Sequence, residues 1–191
     1  MAYEMAVESL VLLKNRDALL PLSADKKILL VGGNFENIYY LLGDYTSERK
    51  NPNTVKDQFT RNGAEFIEGW SFEKGITADE NALKAAALRA DVIIFGCGGS
   101  SVRDFNSKYN SAGAIENAAI YMDCGEGREL ANLLLAECQK QALDILSDTG
   151  KPIVSLAIGG RPYVLTDIAE KSDALIWCGY PGQEGARAIY D

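Results

Sequence analysis

Four short apolar runs limit the folds open to this 191-residue chain: Ile28-Leu-Leu-Val31, Val92-Ile-Ile-Phe95, Ile153-Val-Ser-Leu-Ala-Ile158 and Ala174-Leu-Ile-Trp-Cys178. Each is too short for an ordinary helix, and each runs directly into glycine. None alternates apolar with polar, as a strand with one wet face would. Strands apolar on both faces belong to parallel sheets covered by helices on both sides. A weaker run, Ala64-Glu-Phe-Ile67, adds a fifth strand.

Between these runs the spacing is helical. Tyr3, Ala6, Val7 and Leu10 share a face that Leu10–Leu13 continues, with Lys14-Asn15 as its end. Residues 35–43 form a short helix. Thr77-Ala-Asp-Glu80 reads as a capping box ahead of Leu83, Ala86, Ala87 and Ala90. The longest helix is predicted near 130–148, with Leu135, Cys138, Ala142 and Ile145 on one face, stopped by Gly150 and Pro152. Shorter helices follow near 163–170 and from Gln183. The pattern predicts one α/β domain over 1–191. It is a doubly wound, mostly parallel sheet of five to six strands in a flavodoxin-like three-layer α/β/α sandwich. Ligands of such sheets bind beyond the carboxyl ends of the strands, where every glycine-rich turn named above falls.

Composition removes several chemistries. The chain has no histidine, which excludes Ser-His-Asp and Cys-His catalysis and zinc sites built on imidazole. Gly96-Cys97-Gly98 after a strand has the outline of a nucleophile elbow, but neither Cys97 nor Ser100 has the usual base. Cys97, Cys124, Cys138 and Cys178 form no CxxC pair and read as free thiols of a reducing, cytoplasmic compartment. A net charge of −8 without a basic cluster argues against a nucleic-acid partner. No apolar run approaches a membrane span. Gly32-Gly33-Asn34 lacks the spacing of a dinucleotide fingerprint, and no metal or cofactor is expected.

The candidate site is the long polar stretch after Phe95. Near its end, Gly125-Glu126-Gly127 places one carboxylate between two residues that allow close backbone approach. Proton transfer by such a group needs a raised pKa, from an apolar wall or a second carboxylate. Asp123 stands nearby, yet no residue is placed as a nucleophile. By itself Glu126 is half an active site.

Glu8–Asn15, Leu19-Leu-Pro-Leu22, Lys27–Gly32, Asp91–Phe95, Gly125-Glu-Gly-Arg128, Gly150–Val154, Gly160-Arg-Pro162 and Gly179-Tyr-Pro-Gly-Gln-Glu-Gly185 resemble, in order, landmarks of the second domain of family 3 glycoside hydrolases. Two places depart from the family: Glu129-Leu130 stand where Asp-Arg usually follows the glutamate, and Leu135-Ala136 where Leu-Pro precedes the next helix. The resemblance implies an α/β sandwich packed on an N-terminal barrel, in a retaining exo-β-glycosidase acting on β-linked glucosides or xylosides. The nucleophile is then an aspartate of the barrel, and Glu126 takes the place of the acid/base. Arg103, Asp104 and Asp123 are the expected polar contacts to substrate. On this reading the chain is a domain of a longer enzyme, and is inactive alone. Two other readings stay open: a non-catalytic carbohydrate- or protein-binding domain, and a nucleotide- or flavin-binding flavodoxin-like protein.

Overall fold

The computed structural model describes residues 1–43, 46, 53–101, 111–112, 122–125 and 129–191. Helix α1 (Ala2–Ser9) leads into strand β1 (Val11–Asn15), and β2 (Ile28–Val31) follows. Helices α2 (Tyr39–Leu42) and α3 (Val55–Arg61) precede β3 (Glu65–Ile67) and a hairpin of β4 (Trp70–Ser71) and β5 (Gly75–Ile76). Then come α4 (Glu80–Arg89), β6 (Val92–Gly98), α5 (Glu137–Ser147), β7 (Ile153–Ile158), α6 (Thr166–Lys171), β8 (Ala174–Gly179) and α7 (Gly185–Tyr190).

The main sheet has the order β1-β8-β7-β6-β2-β3. Its five strands from β8 to β3 are parallel, and β1 joins the β8 edge antiparallel. Alternate residues of the strands feed two separate cores. Leu29, Val31, Ile93, Phe95, Ile153 and Leu175 pack toward α4, α5 and the β4–β5 hairpin. Leu30, Val92, Ile94, Val154, Leu156 and Ile158 pack toward α2, α3 and α7. Both faces of β6 and β7 are therefore buried, as their unbroken apolar runs require. The link through Leu19, Leu20 and Leu22 packs down on the second core.

Three local expectations are corrected. Val11–Leu13 do not prolong the first helix: the chain turns extended at Leu10, and β1 pairs with β8 from Val11↔Trp177 to Asn15↔Ala174. An unpaired edge of β8 offers backbone partners that a further helical turn would forgo. The cap of α4 is Asp79, whose side chain accepts from the Ala82 N–H at 3.1 Å, so Thr77 lies outside the helix. Helix α5 starts at Glu137 rather than near 130. Before it, the Asn132 side chain accepts from the Leu134 N–H and Leu133 O accepts from the Val164 N–H, pinning an irregular turn.

Candidate functional site

Read along the sheet, the parallel strands run β3-β2-β6-β7-β8, a 2-1-3-4-5 order by first appearance. Connections leave in opposite directions on either side of the β2/β6 boundary, and that is where flavodoxin-like folds take a ligand. Here the crevice is filled. Trp70 is fully buried and donates its indole N–H to Gly96 O at 3.1 Å. Asn34, also buried, donates to Cys97 O at 3.1 Å. A side chain at Gly33 would meet Trp70 O at 2.3 Å, so the Gly32-Gly33 turn is packed against protein. The turn that lacks a dinucleotide spacing in sequence is a tight turn packed on Trp70 and Gly96.

The end of β6 is held from below by α5. Gln139 is fully buried, accepts from the Gly98 N–H at 2.9 Å and donates back to Gly98 O at 2.8 Å. One carboxamide thus satisfies both backbone groups of the last strand residue, which the sheet leaves without partners on that side. Gly98 itself has φ +126°, and a Cβ there would lie 1.8 Å from Ile158 O. Only glycine ends the strand this way.

Beyond Gly98, Asp123 is clamped from three directions. Its Oδ1 accepts from the Ser100 N–H at 2.7 Å and its Oδ2 from the Tyr163 hydroxyl at 3.0 Å. Its carbonyl accepts from Arg161 Nε at 3.0 Å, and its own N–H donates to Ser100 O at 2.9 Å. Burial, and then the charge of Asp123, raise the Tyr163 phenol above the ordinary tyrosine range, so this hydroxyl stays a donor. Tyr180 stands between Gly43 and Gly160, with the Ser101 hydroxyl and the Cys124 thiol beside its own hydroxyl. Burial pushes its phenol up to about 12, opposed by Ser101. Among the described residues, the buried Ser101 Oγ, Tyr180 hydroxyl and Asn34 Oδ1 have no hydrogen-bond partner at good geometry. All three lie beyond the carboxyl ends of strands, after β2, after β6 and at the end of β8. No group of three metal-ligating side chains occurs among the described residues.

Residues 10–191 match the family described as Glycosyl hydrolase family 3 C-terminal domain. The chain belongs to this family. The probable exo-1,4-beta-xylosidase of Neosartorya fischeri is 30% identical over 195 residues, which is 100% of this chain and 23% of the relative. The exo-1,4-beta-xylosidase of Emericella nidulans is 32% identical over 195 residues, again 100% of this chain and 22% of the relative. Among solved structures, the beta-glucosidase from Listeria innocua in complex with gluconolactone is similar with a TM-score of 0.79 and 30% identity, covering 100% of this chain and 24% of that one. A GH3 exo-beta-xylosidase bound to a xylobiose aziridine activity-based probe is similar with a TM-score of 0.79 and 29% identity, over 99% of this chain and 22% of that one. The family 3 domain thus spans less than a quarter of the length of these relatives.

Of the four site residues expected in this family 3 domain, Asp123 is placed on the carboxyl edge, half-buried and clamped as above. Glu126, Arg103 and Asp104 lie outside the described residues. Sequence reasoning missed Tyr163, Gln139 and Trp70. Gln139 carries a signal, being a polar residue between Leu135 and Ala142 on the apolar face of its helix. Tyr163, an aromatic directly after the Gly-Gly-Arg-Pro turn, carries a weaker one. No helix among the described residues is long and apolar enough to cross a membrane.

Proposed function

We propose that this chain is the second domain of a retaining exo-β-glycosidase, of the β-glucosidase or β-xylosidase type, and that Glu126 is its general acid/base. The observation that carries the reading is the family match across 10–191, with relatives described as exo-xylosidase and β-glucosidase that are some four times longer. A retaining enzyme needs two carboxyl groups about 5–5.5 Å apart. The second is an aspartate of an N-terminal barrel, so the site forms only between the two domains.

In the first step the barrel aspartate attacks the anomeric carbon while Glu126 gives its proton to the leaving glycosidic oxygen. In the second, Glu126 takes a proton from water as that water displaces the aspartate, restoring both groups. Arg103 and Asp104 contact the aglycone side. Asp123 borders the same wall; among the described residues each of its carboxylate oxygens accepts one bond, from Ser100 and from Tyr163, which leaves acceptor capacity for a sugar hydroxyl. The 191-residue chain alone, without the nucleophile, is inactive.

The flavin or nucleotide alternative meets a crevice already occupied by Trp70 and Asn34. The test joins the chain to its barrel and compares wild type with Glu126→Gln on nitrophenyl β-glucoside and β-xyloside. Loss of activity on a poor leaving group, restored by azide, supports the reading. An unchanged rate, or a thermal shift with flavin mononucleotide and none with sugars, sinks it.

A further inference from the structure

We propose that Tyr163 is a positioning residue for the acid/base loop: its hydroxyl, by holding the Asp123 carboxylate at the end of β6, orients the segment that leads into Glu126. The inference rests on the acid/base reading of Glu126 given above.

The Tyr163 ring is buried, and its hydroxyl sits directly over Gly99, where a Cβ would come within 1.6 Å of the oxygen. Glycine at 99 leaves the hydroxyl the space it occupies, 3.0 Å from Asp123 Oδ2. Packing alone would be served as well by phenylalanine; the oxygen ties the β7–α6 connection to the Asp123 carboxylate, beside the bond from Arg161 Nε to the Asp123 carbonyl. The other bonds to Asp123 come from the Ser100 backbone and from Arg161, so Tyr163 supplies the one neutral side-chain donor to its carboxylate among the described residues. Glu126 follows Asp123 by three residues, a length that fully extended chain covers in at most about 10 Å. A general acid must reach its proton within hydrogen-bond distance, and a displacement of about 1 Å costs on the order of a hundredfold in rate. Fixing position 123 therefore narrows where the carboxyl of residue 126 can be delivered.

The experiment uses the full-length enzyme, with this domain joined to its barrel, and two β-glycosides of one sugar. One carries dinitrophenolate, which departs without a proton, and the other methoxyphenolate, which needs one. Tyr163→Phe is expected to lower kcat/KM about tenfold on the methoxyphenyl glycoside, the scale of one hydrogen bond to a charged group, with less than about twofold on the dinitrophenyl one. The ratio of the two values cancels the amount of folded enzyme, so partial misfolding does not obscure it. In a Glu126→Gln background, Tyr163→Phe is expected to add no further selectivity, because both act on one group. Equal losses on both substrates, no loss on either, or the same selective loss persisting in that background would overturn the proposal. If Glu126→Gln does not itself discriminate between the leaving groups, the acid/base reading falls and takes this inference with it. If it does and Tyr163→Phe does not, the inference alone falls.

Discussion

The Tyr163 hydroxyl meets Asp123 Oδ2 at 3.0 Å in the space that a side chain at position 99 would need. Gly99→Ala puts a methyl 1.6 Å from that hydroxyl and 2.6 Å from Asp123 Oδ1. Tyr163 is fixed by burial, so the clash is relieved only by breaking the clamp, at a cost of about 1–3 kcal/mol. Urea denaturation should show the loss. Tyr163→Phe should not rescue it, because the ring carbon that bears the hydroxyl also lies only 2.3 Å from the added methyl.

Gln139 and Gly98 exchange two hydrogen bonds at 2.9 and 2.8 Å in a fully buried setting. Gln139→Met keeps the length of the side chain and leaves both Gly98 groups unsatisfied. The expected destabilisation is about 2–4 kcal/mol, read from the shift in denaturation midpoint. A loss below about 0.5 kcal/mol would mean that water replaces the carboxamide.

The four thiols should label in two classes. Cys97 and Cys178 are buried, and burial pushes the Cys97 thiol up to about 12 and raises Cys178 as well. Cys124 and Cys138 are half-buried. Native labelling with a thiol-specific disulfide reagent at pH 8, followed by peptide mass spectrometry, should find modification at Cys124 and, slowed because burial raises its thiol too, at Cys138, and none at Cys97 or Cys178, because the reagent attacks accessible thiolate. Rapid modification of Cys97 in folded protein would contradict the packing of β6.

Stability should fall on the alkaline side. Burial raises Tyr40 and Tyr180 to about 12, from the ordinary 10.0, and raises Tyr163 too; Cys97 rises to about 12 from 9.0. Folded protein thus keeps protons that the unfolded chain releases from about pH 9 upward. The unfolded state then binds fewer protons, and stability decreases with pH. Melting temperature should show no loss from these groups below about pH 9 and a decline from there toward 12. Ultraviolet titration in the folded range should leave these three tyrosines unionised after the exposed ones have turned.

Thr54 and Asp57 cap α3 reciprocally: the Thr54 side chain accepts from the Asp57 N–H at 3.0 Å, and the Asp57 carboxylate accepts from the Thr54 N–H at 3.2 Å. Thr54→Ala should cost about 1 kcal/mol, measured by denaturation. This helix went unread in the sequence, because its box uses aspartate where glutamate or glutamine is the usual third residue and its apolar stripe is only Val55 and Phe59.

Much of the architecture was legible because burial on both faces writes itself into consecutive residues. The runs at 28–31, 92–95, 153–158 and 174–178 lie in the strands β2, β6, β7 and β8; β2 and β7 stop just before the glycine that follows, β8 ends on Gly179, and β6 continues through Gly96 to Gly98. Gly150, at φ +67°, closes the turn after α5 as its position predicts. The apolar stripe Leu83, Ala86, Ala87 is the buried face of α4. Family membership was legible for a related reason, since ordered landmarks spread over the chain match the family across 10–191.

Other features depend on partners far along the chain. Val11–Leu13 fit the end of a helix or an edge strand equally well, and pairing with Ile176 and Trp177 decided for the strand. The start of α5 was set by a bond from Val164 to Leu133, not by the periodicity around 130. Asp123 and Tyr163 are 40 residues apart, and nothing in the spacing of either announces that they meet. Apolar periodicity records how each residue is buried on its own element, a property that neighbours in sequence share. A hydrogen-bonded clamp records which two elements approach, and folding alone brings them together. The sequence therefore determined the layers, the strands and the edge where chemistry belongs. The tertiary structure decided that Trp70 and Asn34 close the nucleotide crevice and that Tyr163 holds Asp123.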